Sequence, residues 1–317
     1  MALQVVQAAE ETGLGLTLLP VFYAHSGFGG QAPTAGQARF VNDLDRFERV
    51  FAAACAAVSD LPGAVVGLAP HSLRAVTPQE LSALVGLAGE RPIHIHVAEQ
   101  AKEVEDCLAW SGARPVEWLL ANAPVDARWC LVHATHMTAV ETLALARSDA
   151  TAGLCPITEA TLGDGLFPAP EFLAAGGAFG VGSDSNVQID AAQELRLLEY
   201  GQRLSRRTRN ILAPGPGEAT GAALYKAAAG GGAQALGAPL PFFAVGAPAD
   251  IVSLNPCHPG LVGRRGEAIL DSFVFAGGRD LIDGVWRSGR KLVTGGRHHR
   301  REMILARYRK AMQRVLL

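Results

Sequence analysis

Three stretches of the sequence decide the fold: PIHIHVAEQ (92–100), LVHATH (131–136) and GVGSDSNV (180–187). Each is a run of small and β-branched residues that leads to a side chain able to bind a metal or move a proton. Successive strand ends that each deliver one such side chain are typical of a parallel (β/α) barrel, whose active site forms at the C-terminal ends of the strands. The sequence therefore predicts an α/β protein of TIM-barrel type.

Four side chains at these strand ends are the candidates for chemistry. His94 and His96 point to the same strand face, but His96 lies nearer the C-terminal end, so we interpret His96 as the ligand and His94 as a core residue. Glu99 could shuttle protons, although a solvated acid in the first helical turn is the simpler interpretation of that residue alone. His133 ends the second stretch. Asp184 is the strongest single candidate, because burying an unpaired carboxylate is costly.

A fourth motif, APHSLRAV (69–76), adds two candidates for substrate binding, His71 and Arg74. The guanidinium group of arginine matches a carboxylate in bidentate geometry, which suits an anionic substrate. An ordinary surface arginine is an equally good interpretation of Arg74 when it is taken alone.

The composition limits the class of protein. The 317 residues are 49% hydrophobic and 18% charged, with a net charge of −2 and five dispersed cysteines. This balance predicts a compact enzyme acting on a small molecule, with no affinity for nucleic acid or anionic membranes. Unpaired cysteines and the lack of a signal peptide or a bilayer-length apolar run favour a cytoplasmic protein. The oligomeric state stays open, with a homodimer among the options.

Strand-like and helical segments alternate along the first two thirds of the chain, which predicts βαβ units and a parallel sheet. Capping boxes mark two helix starts, at Thr77 with Glu80 and at Thr138 with Glu141. A later helix from Thr220 is predicted to stop at the glycine run 230–232. The predicted strands are 14–23, 64–72, the two that end at His96 and His133, 151–157 and 178–184.

Three domains follow from these patterns. Residues 1–236 form the barrel, residues 237–296 a β-rich appendage, and residues 297–317 a C-terminal helix. The appendage is predicted from strands at 249–255, 270–277 and 281–293. The terminal helix is basic, and its apolar residues recur at helical spacing, which predicts a packed face opposite a solvated one. Those apolar residues are Ile304, Tyr308, Ala311 and Val315.

The motifs together resemble the amidohydrolase superfamily and, within it, the formimidoylglutamate deiminases of histidine degradation. The resemblance covers the whole chain and rests on FYAHSGFGG (22–30), APHSLRAV, HIHVAEQ (94–100), HATH (133–136), GLCPITEATLGDGLF (153–167) and GVGSDSNV. It implies hydrolysis of N-formimino-L-glutamate to N-formyl-L-glutamate and ammonia.

The resemblance also implies the roles of the candidate residues. His96 and Asp184 would ligate a single zinc ion per chain, with Asp184 also accepting a proton. Glu99 and His133 would handle protons and polarise the imine. His71 and Arg74 would contact the substrate.

The family's two other zinc ligands form an early strand-end His-x-His, and no such motif lies upstream of PIHIHVAEQ in this sequence. We therefore expect an incomplete barrel with about six of eight βα units and part of a β-sandwich, arising from a truncated reading frame. Two alternatives stay open: another deaminase of the superfamily that acts on an aromatic base, and an inactive fragment that folds poorly or binds ligand without turnover.

Overall fold

The computed structural model describes residues 2–241 and 243–316, so Met1, Phe242 and Leu317, which the predicted domain ranges include, lie outside the described residues. The α-helices, in chain order, are α1 (Ala2–Thr12), α2 (Leu44–Val58), α3 (Pro78–Ala88), α4 (Ala101–Ser111), α5 (Pro115–Asn122), α6 (Ala139–Ala146), α7 (Pro156–Leu162), α8 (Ala169–Ala174), α9 (Ala191–Arg206), α10 (Thr220–Ala235), α11 (Ala268–Ser272) and α12 (Arg301–Val315). The strands are β1 (Thr17–Leu18), β2 (Val21–Phe22), β3 (Val65–Val66), β4 (Ala69–Pro70), β5 (Ile93–Val97), β6 (Trp129–His133), β7 (Thr151–Leu154), β8 (Ala178–Val181), β9 (Ile251–Leu254), β10 (Ile282–Arg287), β11 (Arg290–Thr294) and β12 (Arg297–His298).

A parallel sheet follows the chain order. The β1 and β2 segments pair with β3 and β4, respectively, and β5 to β8 pair in sequence. The predicted strands 14–23 and 64–72 are each divided into two short segments. Pro20 lies at the break in the first of these strands and cannot donate a backbone hydrogen bond. Its carbonyl oxygen nevertheless accepts the amide of Ala69, so backbone hydrogen bonding continues across the break. All strand C-termini thus lie at one edge, as the sequence predicted.

Alternation of side chains along β5 separates the core from the site. Ile93, Ile95 and Val97 are buried, whereas His94 and His96 lie on the opposite face and are partly buried. His94 Nε2 is 2.8 Å from the carbonyl oxygen of Ala235. A partner of this kind is what a structural histidine needs, which agrees with the interpretation of His94 as a core residue.

The helix starts predicted from capping boxes are confirmed. The Thr77 hydroxyl accepts the Glu80 amide, and the Glu80 carboxylate accepts the Thr77 amide. The same reciprocal pair joins Thr138 and Glu141 at the start of α6. These local contacts define the direction in which each helix leaves the sheet edge.

The prediction that the glycine run 230–232 stops a helix is wrong, because α10 continues through it to Ala235. Helix α10 packs directly on β8, and a Cβ atom at Gly231 would lie 2.2 Å from the carbonyl oxygen of Phe179. A Cβ atom at Gly180 would lie 2.9 Å from the Cα atom of Gly232. The glycines therefore serve close helix–sheet packing rather than termination.

The substitution Gly231→Ala is expected to destabilise the protein by about 1–3 kcal/mol, because the added methyl group forces β8 and α10 apart. Gly230→Ala is the matched control. A Cβ atom at Gly230 meets no atom within 4 Å, so alanine there should stabilise the helix by about 0.5–1 kcal/mol. Urea denaturation of both variants measures the difference. Equal stability of the two variants would contradict the packing role.

An antiparallel sheet of order β12-β11-β10-β9 follows the parallel one. The predicted strands 249–255 and 281–293 are found in it, the latter as the hairpin β10–β11. The predicted strand 270–277 is wrong, since these residues form the end of α11 and the π-helical turn Phe273–Gly277. Contacts with neighbouring helices explain this: Asp271 accepts the Gly221 amide at the start of α10, and Arg196 of α9 donates to the Val274 carbonyl.

Helix α12 is present as predicted, but its predicted packing is wrong. Its polar contacts hold it beside α1, with Arg307 donating to Glu11, yet none of its described residues is buried. Tyr308 and Val315 are 59% and 76% exposed. Three of the four stripe residues are therefore exposed, and Ile304 is only partly buried. No helix in the described ranges combines the length and apolarity needed to cross a bilayer.

Candidate metal centre

Three of the predicted side chains meet at the C-terminal edge of the parallel sheet. One ligand atom each from His96, His133 and Asp184 can be chosen so that all lie within 4.8 Å of one another. The sequence predicted His96 and Asp184 as ligands and His133 as a proton carrier. The structure thus brings His133 into the same group of nitrogen and oxygen donors.

A β-bulge orients His96. Leu68 bridges to Ile93 and Ser72 to His96, so the strand containing β4 has one more residue than β5 between the two bridges. As a result the carbonyl oxygen of His71 accepts both the His96 amide, at 3.0 Å, and the ring nitrogen Nδ1, at 2.8 Å. The proton is held on Nδ1, which leaves Nε2 with a free lone pair for a metal. Burial lowers the pKa of His96, which also favours the neutral ring.

His133 is fully buried between two carboxylates. Its Nδ1 is 3.3 Å from Glu159 Oε1, and its Nε2 is 3.6 Å from Glu99 Oε1. Burial acts to lower the pKa of His133, but the hydrogen bond to Glu159 and the charges of Glu99, Glu159 and Asp184 together raise it. The backbone of His133 is left-handed, with φ of 68°, which stores strain at this strand end.

Glu99 lies on a loop that a buried carboxylate holds in place. Ala98, before it, has φ of 50°. Glu103 Oε1 accepts the Ala98 amide at 3.0 Å, and Oε2 accepts the Glu99 amide at 3.1 Å. This loop directs the Glu99 side chain toward His133 rather than into solvent.

Asp184 follows β8 and is exposed, also with a left-handed backbone, φ 41°. Asp190, not Asp184, caps the next helix by accepting the Ala192 and Gln193 amides. The sequence argument for Asp184 assumed a buried carboxylate, and that assumption is wrong, because the loop after β8 leaves this side chain exposed. The loop is held to α7 by a 2.8 Å contact between the Thr158 and Ser185 hydroxyl groups.

The two predicted substrate residues lie beside this group. The ring centroids of His71 and His96 are 5.1 Å apart, and burial, with help from nearby positive charge, lowers the pKa of His71 to about 4. Arg74 Nη2 is 4.0 Å from Glu103 Oε2, and 30% of the Arg74 side chain is exposed. Arg74 can therefore reach solvent from the site edge.

The residues present fit a zinc ion. His96 Nε2 keeps its lone pair because Nδ1 donates to the His71 carbonyl, and ligand atoms of His96 and Asp184 lie within 4.8 Å of each other. Imidazole nitrogen and carboxylate oxygen are common zinc donors, and the carboxylates around the group favour a cation. The group is therefore chemically suited to hold a divalent metal.

Sequence reasoning missed two buried acids, Glu103 and Glu159. Each was hidden as an acid in the first turn of a helix, a position that the helix dipole favours without any other role. Glu159 accepts the amide of Cys155 at 3.1 Å as well as facing His133. The only available signal was its place in the TEATLGDG segment (158–165).

A third missed acid, Glu194, gives a prediction on stability. Its Oε2 accepts the Ile157 amide, and burial raises its pKa to about 7. A carboxyl group whose pKa is raised in the folded protein contributes most stability below its ordinary pKa of about 4.5. That contribution is lost as pH rises toward 7. Glu194→Gln removes the carboxyl group and therefore this loss of stability. The free energy of unfolding of the variant, relative to that of the wild type, should be about 1–2 kcal/mol higher at pH 8 than at pH 5.

Urea unfolding at both pH values, with a chelator present, measures this effect. The exposed Glu10 of α1 provides the matched control, since Glu10→Gln should leave the pH dependence unchanged. Parallel pH profiles for the wild type and Glu194→Gln would show that the carboxyl group is not responsible.

Comparison with known proteins places this geometry in a family. The model of the amidohydrolase family matches residues 2–292. The chain is 50% identical over 299 residues to a formimidoylglutamate deiminase from Pseudomonas aeruginosa, and the match covers 94% of this chain and 66% of that protein. The chain thus spans just under two thirds of that curated relative.

Solved structures agree with the fold. An amidohydrolase from Brucella melitensis superimposes with a TM-score of 0.96 at 53% identity, covering 100% of this chain and 70% of that one. An adenosine deaminase from Xanthomonas campestris, solved with bound zinc, has a TM-score of 0.83 at 23% identity over 98% of this chain and 68% of that one. The chain belongs to the amidohydrolase family.

Proposed function

We propose that the protein hydrolyses N-formimino-L-glutamate to N-formyl-L-glutamate and ammonia. The observation that carries the proposal is the group of His96, His133 and Asp184 at the sheet edge, with Glu99 beside His133. The 50% identity to a formimidoylglutamate deiminase supports this substrate over the other amidohydrolase substrates.

The metal is proposed to be a single zinc ion, held by His96 and Asp184. When bound, it supplies a Lewis acid and lowers the pKa of a water molecule toward neutrality. We assign His133 to proton transfer rather than to metal binding, because both of its ring nitrogens face carboxylate oxygens.

The protein's side chains then move the protons. Asp184 accepts a proton from the attacking water at a carboxylate oxygen, while His133 Nε2 polarises the imine. Glu99 carries protons at Oε1 to the departing nitrogen, which leaves as ammonia. The new carbon–oxygen bond and the broken carbon–nitrogen bond convert the formimino group to a formyl group.

Arg74 and His71 position the substrate. The Arg74 side chain is partly exposed, and its guanidinium group suits a carboxylate of the glutamate moiety. The low pKa of His71 leaves its ring neutral at physiological pH, so it can donate or accept a hydrogen bond without charge. These contacts supply orientation rather than bond chemistry.

Assay of the purified chain for ammonia release tests the proposal. N-formimino-L-glutamate is compared with guanine and cytosine derivatives, and bound zinc is measured by atomic absorption. We expect equal yields of ammonia and N-formyl-L-glutamate, with turnover of the first substrate alone. Turnover of an aromatic base alone would favour the other deaminase class, and zinc-loaded protein that hydrolyses none of them would contradict the proposal.

A further inference from the structure

We propose that Glu103 is a positioning residue that couples the proton-transfer loop to the substrate-binding arginine. This inference rests on the proposed function, since it concerns the same site. Among the described residues, Glu103 alone makes polar contacts both with Arg74 and with the loop that carries Glu99.

The hydrogen bonds of Glu103 differ from those of an ordinary helix cap. Glu80 and Glu141, three residues after their caps, each accept the amide of the cap residue. Glu103 stands at the same position of α4, yet it reaches further back, to the amides of Ala98 and Glu99. Its hydrogen bonds therefore organise the loop after β5 instead of closing the first helical turn.

The loop needs this support because its backbone is strained. Ala98 has φ of 50°, and a left-handed conformation in a residue with a Cβ atom costs about 1–2 kcal/mol. Two charge-assisted hydrogen bonds that one carboxylate accepts from backbone amides offset that cost. With the loop held, Glu99 Oε1 stays 3.6 Å from His133 Nε2.

The same carboxylate also fixes Arg74. The side chain of Glu103 is wholly buried, so its charge needs a partner, and burial is the largest of the effects that raise its pKa. Arg74 Nη2, 4.0 Å from Glu103 Oε2, supplies the opposite charge. One oxygen atom thus faces both the Glu99 amide and the guanidinium group, which sets the spacing between proton carrier and substrate cation.

The substitution Glu103→Gln tests the coupling. An amide has one acceptor oxygen and no charge, so one loop hydrogen bond and the ion pair are lost. We expect kcat for N-formimino-L-glutamate to fall about 10- to 100-fold and KM to rise several-fold, with zinc content unchanged. Hydrogen exchange at the Ala98 and Glu99 amides should become about tenfold faster.

Two comparisons separate positioning from general stability. Glu105→Gln, an exposed residue on the same helix, should change none of these quantities. In the Arg74→Gln background, Glu103→Gln should raise KM no further, because its effect on KM passes through Arg74. Independent, additive effects on KM would overturn the coupling, as would a fall in kcat explained by a smaller folded fraction.

Hydrogen exchange keeps this test distinct from the test of the proposed function. If the wild type does not hydrolyse N-formimino-L-glutamate, the proposed function fails, while exchange still reports whether Glu103 holds the loop. Unchanged amide exchange in Glu103→Gln would overturn the positioning role, whatever the substrate.

Discussion

The substitution Asp184→Asn is expected to lower kcat for N-formimino-L-glutamate by about 1000-fold or more and to weaken zinc binding. An asparagine oxygen carries no net charge, so it is a poorer metal ligand, and it cannot accept a proton from water at neutral pH. Loss of general-base action alone costs about 10²- to 10⁴-fold. Steady-state kinetics, together with zinc titration monitored by a competing chelator, measure both effects.

Asp149 offers a matched control for this substitution. It is an exposed aspartate with a left-handed backbone, φ 62°, but it lies before β7, at the opposite edge of the sheet from Asp184. Asparagine tolerates this backbone equally well at both positions. Asp149→Asn should therefore leave kcat and zinc affinity unchanged. If Asp184→Asn behaved like the control, Asp184 would be neither ligand nor base.

The sequence predicted the candidate site through its alternating strand-like and helical segments. Strand ends of a parallel sheet share one edge, so His96, His133 and Asp184 had to lie near one another once their strands were recognised. The capping boxes at Thr77 and Thr138 were equally reliable, because all their contacts fall within four residues. Local patterns of this kind need no knowledge of the tertiary structure.

Two local predictions were wrong because contacts with distant residues override them. Phe273 and Val274 belong to a short apolar run that suggested a strand, but packing on α9 and α10 makes them helical. Gly231 resembles a helix stop in the sequence, and only the carbonyl of Phe179 against it shows why glycine is required. Neither contact leaves a trace in the local sequence.

The supporting acids of the site were hidden for the same reason. Glu103 and Glu159 are buried by the fold, although acids in first helical turns are ordinarily solvated. Their importance comes from the backbone amides and histidine ring that they meet. The sequence therefore predicts candidate residues for the chemistry, whereas the residues that orient those candidates emerge from the structure.

The substitution Glu99→Gln is expected to lower kcat by about 10²- to 10⁴-fold while zinc binding and stability stay close to those of the wild type. Glu99 lies outside the group of three ligand atoms, and its side chain is 16% exposed, so glutamine should be accommodated without strain. Its amide cannot carry a proton to the departing nitrogen. The loop also keeps its shape, because Glu103 binds the backbone amide of residue 99 and not its side chain.

This separation of side chain from backbone distinguishes the roles of Glu99 and Glu103. Glu99→Gln should lower kcat with little change in KM, whereas Glu103→Gln should change both, because Glu103 alone also contacts Arg74. The kinetics of the two variants, with zinc content and amide exchange measured on the same samples, test that difference. If Glu99→Gln kept more than about a third of the wild-type kcat, His133 or Asp184 would have to supply the leaving-group proton without it.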